Sequence, residues 1–456
     1  MRIHFIAVGG SAMHNLAIAL HKKGYQVTGS DDVIFEPSSS RLDRYGLLPK
    51  QMGWDESNIT ADLDAVILGM HALKDNPELL KAQQMGLKIY SYPEYIYEQT
   101  KDKLRVVIGG SHGKTTITSM ILHVLNYYNR DFDYLVGAQL TGFDTMVKVT
   151  ASAPLIVIEG DEYLASPIDR RPKFHLYKAN IAVISGIAWD HINVFPTYQD
   201  YTRQFEIFIE TIQPGGKLIY CNADQDLNGL VQGLNAPVEA IGYGIPEHKV
   251  ENGITCLLPD ETALKIFGDH NLMNLNAAKL VCLQLGIDGA QFNIAISSFT
   301  GAAKRLELLN AENETNVYKD FAHSPSKLKA TIEAVKAQFP ARQLIACIEL
   351  HTFSSLNKTF LEQYANTMTK SDIAIVYIDE KTFIQKKLEP FTQYDVQTAF
   401  NSKEILFFNN SALLEDYLLN TNFYRTNLLL MSSGNFGGLD LTKLARELNT
   451  ISLKEQ

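Results

Sequence analysis

Val106-Val107-Ile108-Gly109-Gly110-Ser111-His112-Gly113-Lys114-Thr115-Thr116 joins an apolar run to a glycine turn and a Gly-Lys-Thr-Thr step, and helical periodicity follows from Ile117 to Asn126. Glycines in such a turn let backbone N–H groups converge on phosphate oxygens, the helix behind it offers its N-terminus, and a lysine adds a mobile positive charge. We read the stretch as the cradle for ATP, with Gly110, Ser111, His112, Gly113, Lys114, Thr115 and Thr116 around the phosphates and the Thr115 hydroxyl on Mg²⁺. The spacing departs from the usual pattern, because Ile108 stands where the first glycine is expected and the glycines are Gly109 and Gly110. A glycine-rich turn with a solvated lysine is the competing reading; the strand and helix flanks weigh against it.

Working outward, the chain is 456 residues long, and ordinary domain sizes suggest roughly two to four units. Three are expected. No apolar run approaches the ~20 residues that a membrane helix needs. The chain enters a strand directly at Met1-Arg2-Ile3-His4-Phe5-Ile6 with no signal-peptide pattern, so a cytoplasmic location is expected. Cys221, Cys256, Cys282 and Cys347 are too scattered for a zinc site or a disulfide scaffold and read as free thiols. A net charge of -10 without Lys/Arg runs argues against a nucleic-acid partner. A monomer or homodimer acting on small molecules, away from membranes, is the expectation.

The fold class expected is α/β in three domains: a Rossmann-like N-terminal domain (1–103), a central P-loop ATPase domain with a mainly parallel sheet (104–299), and a C-terminal Rossmann-like domain (300–456). In the first, the strand His4 to Val8 leads through Gly9-Gly10-Ser11-Ala12-Met13 into a helix ending at Lys23, and a second strand from Gln26 ends at Ser30-Asp31-Asp32. Further strands are expected at Ala65 to Met70 and Leu87 to Ser91, with a polar joint at Thr100 to Lys103. The central domain adds buried strands at Pro154 to Glu159 and Ile181 to Ser185 and a helix from Met273 to Leu285. In the third, strands are expected at Leu344 to Ile348, Ile373 to Tyr377 and Leu428 to Ser432.

Glu159-Gly160-Asp161-Glu162 follows a buried strand, at the end where α/β sheets collect ligands. Glu159 is therefore a candidate Mg²⁺ ligand; a solvated acidic loop is the alternative. Asp190-His191 ends the next strand, where His191 is either a further metal ligand or structural. Asn271 and Asn274 lie one helical turn apart and either read an adenine edge or cap the helix. Lys304-Arg305-Leu306-Glu307 and Tyr318-Lys319-Asp320-Phe321-Ala322-His323-Ser324-Pro325 bracket a hairpin-like segment. Ala7, Gly9 and Ala12, with Asp31 about 20 residues on, also fit an NAD fingerprint. On that reading the chain would be a nicotinamide-binding regulator with an ATP site.

Taken in order, these motifs resemble the Mur ligases, ATP-dependent amide-forming enzymes of peptidoglycan precursor assembly, over nearly the whole chain. The family's Gly-Thr-His-Gly-Lys-Thr-Thr stands here as Gly110 to Thr116, its Glu-Ala-Asp-Glu as Glu159 to Glu162, its Asp-His as Asp190-His191, and its His-Asn-x-x-Asn as His270 to Asn274. The C-terminal Asp-Asp-Tyr-Ala-His-His-Pro keeps Asp320, His323 and Pro325, with Lys319 and Ser324 replacing its first Asp and second His. The resemblance implies that Gly9, Gly10, Ser11, Ala12, Met13, Asp31 and His71 hold UDP-N-acetylmuramate. It also implies Lys114 on the β/γ-phosphates, Thr115, Glu159 and His191 at metal positions, Asn271 and Asn274 on adenine, and Arg305 and Asp320 on the nucleotide. His323 is then the candidate base for the incoming amine.

Two branches compete. Asp169-Arg170-Arg171-Pro172-Lys173-Phe174, Lys304 to Glu307 with Asp320 to His323, and Met431 to Gly438 are similar to the recycling branch, which adds L-Ala-γ-D-Glu-meso-diaminopimelate. Glu349-Leu350-His351-Thr352-Phe353-Ser354 is closer to the branch that adds L-alanine, but that branch's arginines are missing, since Ser354, Ser355 and Leu356 follow. The tripeptide is the expected acceptor and L-alanine the alternative. Lys114→Ala is expected to cut turnover by orders of magnitude and to leave the fold intact, on the premise that a phosphate-loop lysine lies at the surface.

Overall fold

The structure is a computed structural model that describes residues 1–140, 142–189, 194–233, 238–301, 305–312 and 315–452. It forms two compact units, Met1–Ile245 with Met273–Ile296, and Pro246–Leu272 with Ser297–Gln456. Among the described residues, no helix is long and apolar enough to cross a membrane.

The first unit holds two sheets. Strands β1 (Arg2–Ile6), β2 (Gln26–Ser30), β3 (Ala65–Leu68) and β4 (Ile89–Ser91) form a parallel sheet in the order β2-β1-β3-β4. Ile3, Phe5 and Ile6 are buried, as a strand covered on both faces requires. β1 stops at Ile6, two residues before the expected Val8, because Ala7 takes φ +66° and the N–H groups of Ala7 and Val8 both donate to the Ser30 carbonyl at 3.0 Å.

The second sheet contains β5 (Leu104–Gly109), β6 (Asp133–Leu135), β7 (Val147–Lys148), β8 (Leu155–Glu159), β9 (Ile181–Ile184), β10 (Lys217–Cys221) and β11 (Glu239–Tyr243). Their order is β11-β10-β9-β5-β8-β6-β7, parallel except for the short edge strand β7. From β5 the chain moves toward β8, and from β9 it moves toward β10, so the topology reverses between β5 and β9. Ligands of open α/β sheets collect at that point. The expected polar joint is pinned: the helix Tyr92–Thr100 runs to Thr100, and Lys103 reaches Asp133 at 2.5 Å and the Thr150 carbonyl at 2.7 Å.

In the second unit, β12 (His248–Glu251), β13 (Ile254–Leu257) and β14 (Thr262–Leu264) make a small antiparallel sheet. Sequence reading assigned these residues to the central stretch 104–299, but they pack with the C-terminal residues. Thr255 donates to Gln338 at 3.0 Å and Gln338 to the Gly253 carbonyl at 2.7 Å, which ties the sheet to the helix Pro325–Gln338.

The larger sheet of this unit contains β15 (Glu307–Glu312), β16 (Thr315–Asp320), β17 (Gln343–Glu349), β18 (Ile373–Tyr377), β19 (Leu406–Phe408) and β20 (Thr426–Met431). Their order is β15-β16-β20-β17-β18-β19, parallel except for the β15–β16 hairpin. Apolar cores lie on both faces of this sheet, one including Leu328, Leu361 and Phe383 and the other Leu414, Leu441 and Leu444.

Candidate active site

The phosphate loop leaves β5 at Gly109 and enters the helix Lys114–Tyr127. Gly110 has φ +121° and Gly113 φ +80°, conformations that side chains rarely adopt. A Cβ on Gly110 would run into Ser185, and one on Gly113 into the amide of Asn274. Asn274 therefore stands against the loop. Gly113 caps the helix without a side chain, so the first-turn N–H groups are left to an anion. The loop is held from behind: Ser111 N–H donates to the Gly186 carbonyl at 2.9 Å, Ala188 N–H donates to the Ser111 hydroxyl at 3.1 Å, and Ser185 donates to the His112 carbonyl.

Lys114 Nζ donates to the Gly110 carbonyl at 2.6 Å and to both oxygens of Glu162, at 2.8 and 3.0 Å. Glu162 is fully buried, and Tyr201 also donates to it at 3.3 Å. Burial pulls the Lys114 pKa down, but the Glu162 charge and hydrogen bond outweigh it and leave the lysine above its ordinary value. The premise of a surface lysine is thus corrected, and the burial of Glu162 weighs against the alternative of a solvated acidic loop.

Thr115 Oγ1 donates to Glu159 Oε1 at 2.8 Å, and Gly137 N–H to Glu159 Oε2 at 2.8 Å. Burial raises the Glu159 pKa, which these bonds and Lys114 only partly offset. A hydroxyl and a carboxylate held together beside the phosphate cradle are oxygen donors of the kind Mg²⁺ takes alongside nucleotide phosphates. Asp161 is turned to Lys173 at 2.6 Å; burial raises its pKa, and Lys173 overcomes that. His191, with Asp190, Ile192 and Asn193, lies outside the described residues, as does Lys304.

The N-terminal loop repeats the device with other side chains. The helix Ser11–Lys22 is capped by Gly10 without a side-chain bond. His71 lies beside Gly10, whose Cβ would stand 3.8 Å from the imidazole. Asp31 accepts the Gly9 N–H at 2.7 Å, and burial raises its pKa to about 6. Ser11 donates to the Met146 sulfur at 3.6 Å and Asn15 accepts the Met146 N–H at 2.9 Å, so this loop is bound to the segment before β7. Ala12 and Met13 lie in the first turn of the helix, and Met13 is buried.

In the second unit, Asp320 ends β16 and is committed to the backbone, accepting N–H bonds from Leu306 and Ala322 at 2.7 Å each. Arg305 stacks over Phe321, 4.9 Å from the ring centre. Asn271 donates to the Phe267 carbonyl at 2.9 Å. That bond is not a helix cap, since a capping side chain accepts an N–H and here the amide donates to a carbonyl ahead of the helix; Asn274 stands against Gly113 instead. His323 Nδ1 contacts the Phe321 carbonyl at 2.8 Å. A carbonyl only accepts, so Nδ1 carries the proton and Nε2 keeps the lone pair. Burial lowers the His323 pKa beyond what that bond restores, and Lys327, Arg305 and His351 lower it further.

Several supports carry no signal in the motifs alone. Glu162 is one, although as the buried partner of the phosphate-loop lysine it sets the position of Lys114. Ser185, Gly137 and Asp224, which accepts the Ile187 N–H at 2.8 Å, carry no local signal, since they act through backbone bonds from other strands.

Residues 2–103 match the description "Mur ligase family, catalytic domain", and residues 108–282 match "Mur ligase middle domain". The UDP-N-acetylmuramate–L-alanine ligase of Caldicellulosiruptor bescii is 33% identical over 391 residues, which is 82% of this chain and 82% of the relative. Among solved structures, MurC from Thermotoga maritima is similar with a TM-score of 0.67, 19% identity and 100% of both chains covered. The murein peptide ligase Mpl from Psychrobacter arcticus is similar with a TM-score of 0.60, 21% identity and 98% and 99% covered.

Proposed function

The chain belongs to the Mur ligase family of ATP-dependent ligases, and on that premise we propose that it joins the lactyl carboxylate of UDP-N-acetylmuramate to an amine through an acyl phosphate. The observation that carries this is the loop Gly110 to Thr115, with the half-buried Lys114 held on Glu162 and a Thr115–Glu159 oxygen pair at 2.8 Å. Residues 1–103 receive the nucleotide sugar, 104–299 the ATP and 300–456 the amine. The N-terminal glycine loop lies inside the matched segment 2–103, which favours the sugar nucleotide over NAD.

A carboxylate does not acylate an amine in neutral water without activation. It attacks the γ-phosphorus, the bond to the β-phosphate oxygen breaks, and ADP leaves with that bond's electron pair. Two anions meet in this step, so positioning and charge neutralisation dominate. Lys114 and the N–H groups behind Gly113 hold the phosphates. Thr115, Glu159 and His191 are the metal positions, and Mg²⁺ bound there would neutralise charge on the phosphate oxygens. Asn274 and Asn271 hold adenine, with Arg305 and Asp320 on the nucleotide. Gly9 to Met13, Asp31 and His71 hold the sugar nucleotide. In the second step the amine attacks the acyl carbon, His323 Nε2 takes its proton, and phosphate departs.

For the acceptor, the stretches Asp169 to Phe174, Lys304 to Glu307 with Asp320 to His323, and Met431 to Gly438 support L-Ala-γ-D-Glu-meso-diaminopimelate. L-alanine is the second reading, favoured by the 33% identical relative. The deciding measurement is Mg²⁺-dependent phosphate release from ATP and UDP-N-acetylmuramate with each acceptor at equal concentration. Release with the tripeptide alone supports the first reading. Release with L-alanine alone overturns it in favour of the second.

A further inference from the structure

In the reaction proposed above, the first glycine loop holds the carboxylate that attacks and the second holds the γ-phosphate, so the distance between the two loops is part of the chemistry. The turn between β6 and β7 touches both.

Asn15 lies in the helix that the first glycine loop opens and is fully buried. Asparagine is a poor helix former, and burying its amide costs free energy unless its polar atoms are met. Here they are met. The amide nitrogen donates to the Ser11 carbonyl and to His14 Nε2, each at 2.9 Å, and the amide oxygen accepts the Met146 N–H at 2.9 Å. His14 Nδ1 faces the Gly10 carbonyl and the Ser38 hydroxyl, each at 3.0 Å. A carbonyl only accepts, so Nδ1 carries the proton and Nε2 is left to accept from Asn15. Burial lowers the His14 pKa beyond what the Gly10 bond restores, and Arg41 lowers it further, which favours this neutral ring. The amide thus takes its orientation from the first loop and offers its oxygen to the central sheet.

From Met146 the connection to the candidate metal carboxylate is short. The Met146 carbonyl accepts the Val136 N–H at 3.0 Å, beside the antiparallel pair Leu135 and Val147. The next residue, Gly137, donates its N–H to Glu159 Oε2 at 2.8 Å, and a Cβ on Gly137 would stand 2.8 Å from Glu159 Oε1. Glu159 is therefore held from two sides, by Thr115 in the phosphate loop and by Gly137 in the β6–β7 turn. Asn15, Met146, Val136 and Gly137 form a continuous run of hydrogen bonds and one peptide link from the first loop to Glu159. Other side chains fasten the same turn: Lys22 and Tyr45 donate to Asp144, and Arg41 donates to Gln139 at 2.9 Å. The Asp144 contacts are exposed and each is worth little, whereas the Asn15 bond to Met146 is buried.

We infer that Asn15 is a positioning residue: by holding Met146 it sets the sugar-nucleotide loop at a fixed distance from Glu159, so that the attacking carboxylate meets the γ-phosphorus in line. The inference rests on the ligase reading above and deepens it. Each substrate draws its binding energy from its own loop, so Asn15 acts on the alignment of the two when both are bound. There a displacement of about 1 Å costs about 10²-fold in rate.

The test measures phosphate release with UDP-N-acetylmuramate, ATP and each acceptor, and calorimetric affinity for UDP-N-acetylmuramate and for ATP, in wild type, Asn15→Leu and Asn15→Asp. Asn15→Leu removes the oxygen that Met146 uses and should lower kcat about 10²-fold, with both affinities near wild type. Asn15→Asp keeps an oxygen for Met146 and should recover most of that loss. If Asn15→Leu does not fold, Asn15→Ser, whose side chain is one bond shorter, is read in its place. Gly137→Ala strikes the other end by pressing on Glu159, and combining it with Asn15→Leu should cost far less than the product of the two separate effects. A normal kcat in Asn15→Leu, a loss confined to sugar-nucleotide affinity, effects that multiply fully with Gly137→Ala, or an Asn15→Asp enzyme as slow as Asn15→Leu each overturns the inference. Absence of phosphate release from wild type with any amine overturns the ligase reading and this inference with it.

Discussion

The two glycine loops of the first unit, Ala7 to Met13 and Gly109 to Lys114, use one backbone device with opposite electrostatics. Each follows a parallel strand and opens a helix capped by a glycine that makes no side-chain bond. Behind the second stands a half-buried cation with its own buried carboxylate, Lys114 on Glu162, and a hydroxyl–carboxylate pair. At the first stands a carboxylate, Asp31, taken up by the loop's own Gly9 N–H, with the His71 ring beside Gly10. A glycine turn thus makes an anion site, but whether phosphate is held or transferred depends on the charges placed around it. On the proposed function the first loop binds and the second reacts.

Removing the cation should separate the loops most sharply. Lys114→Met is expected to lower turnover by about 10³-fold or more and, unlike a surface change, to destabilise the protein by about 3–5 kcal/mol, because the buried Glu162 loses the cation it faces. Lys114→Met with Glu162→Gln should recover most of the melting temperature and none of the phosphate release. A double variant that regains activity would show that the lysine serves the fold and not the phosphates.

Glu159→Gln comes next. It keeps one oxygen for Thr115 but loses the charge, so turnover should fall about 10²–10³-fold with a higher Mg²⁺ requirement. Glu159 works ionised and its pKa is raised, so wild-type activity should decline as pH falls toward that pKa. The variant should lack this limb. An unchanged Mg²⁺ titration would remove Glu159 from the metal site.

These two variants act on residues the sequence displays, and the contrast with the remainder shows where legibility ended. Val106 to Thr116 and Ile156 to Glu162 were readable because a buried parallel strand leaves an unbroken apolar run and a phosphate turn needs glycine at particular places. The pairing of Lys114 with Glu162 was not, since 48 residues separate them and only the β5–β8 register brings them together. The small sheet β12–β14 escaped too: its exposed, alternating residues carry little apolar signal, and its attachment through Gln338 is a tertiary fact.

The first loop should show a pH response of its own, read in stability. With its pKa raised to about 6 in the folded state, Asp31 contributes stability that is fully present below its unfolded value and is lost as pH rises through about 6. Asp31→Asn keeps an oxygen for the Gly9 N–H and removes this loss. Its stability relative to wild type should therefore grow by about 1–2 kcal/mol between pH 4 and pH 7, as read by denaturant unfolding at each pH. A pH-independent difference would mean that the buried carboxylate titrates normally.

The smallest effect on the fold and the cleanest on function belongs to Gly10→Ala. Gly10 sits at φ -58°, which alanine adopts freely, and its Cβ would meet only Met13 at 3.7 Å and His71 at 3.8 Å, ordinary contacts. Gly113→Ala, by contrast, meets both a left-handed φ and the Asn274 amide, so it disturbs the protein whether or not phosphate binds. Gly10→Ala should leave stability within about 0.5 kcal/mol and raise KM for UDP-N-acetylmuramate, with KM for ATP unchanged, because a methyl group at the cap occupies the space in which phosphate approaches the helix N-terminus. If KM for the sugar nucleotide is unmoved, the first loop is not its phosphate site, and the likeness between the two loops ends at their backbones.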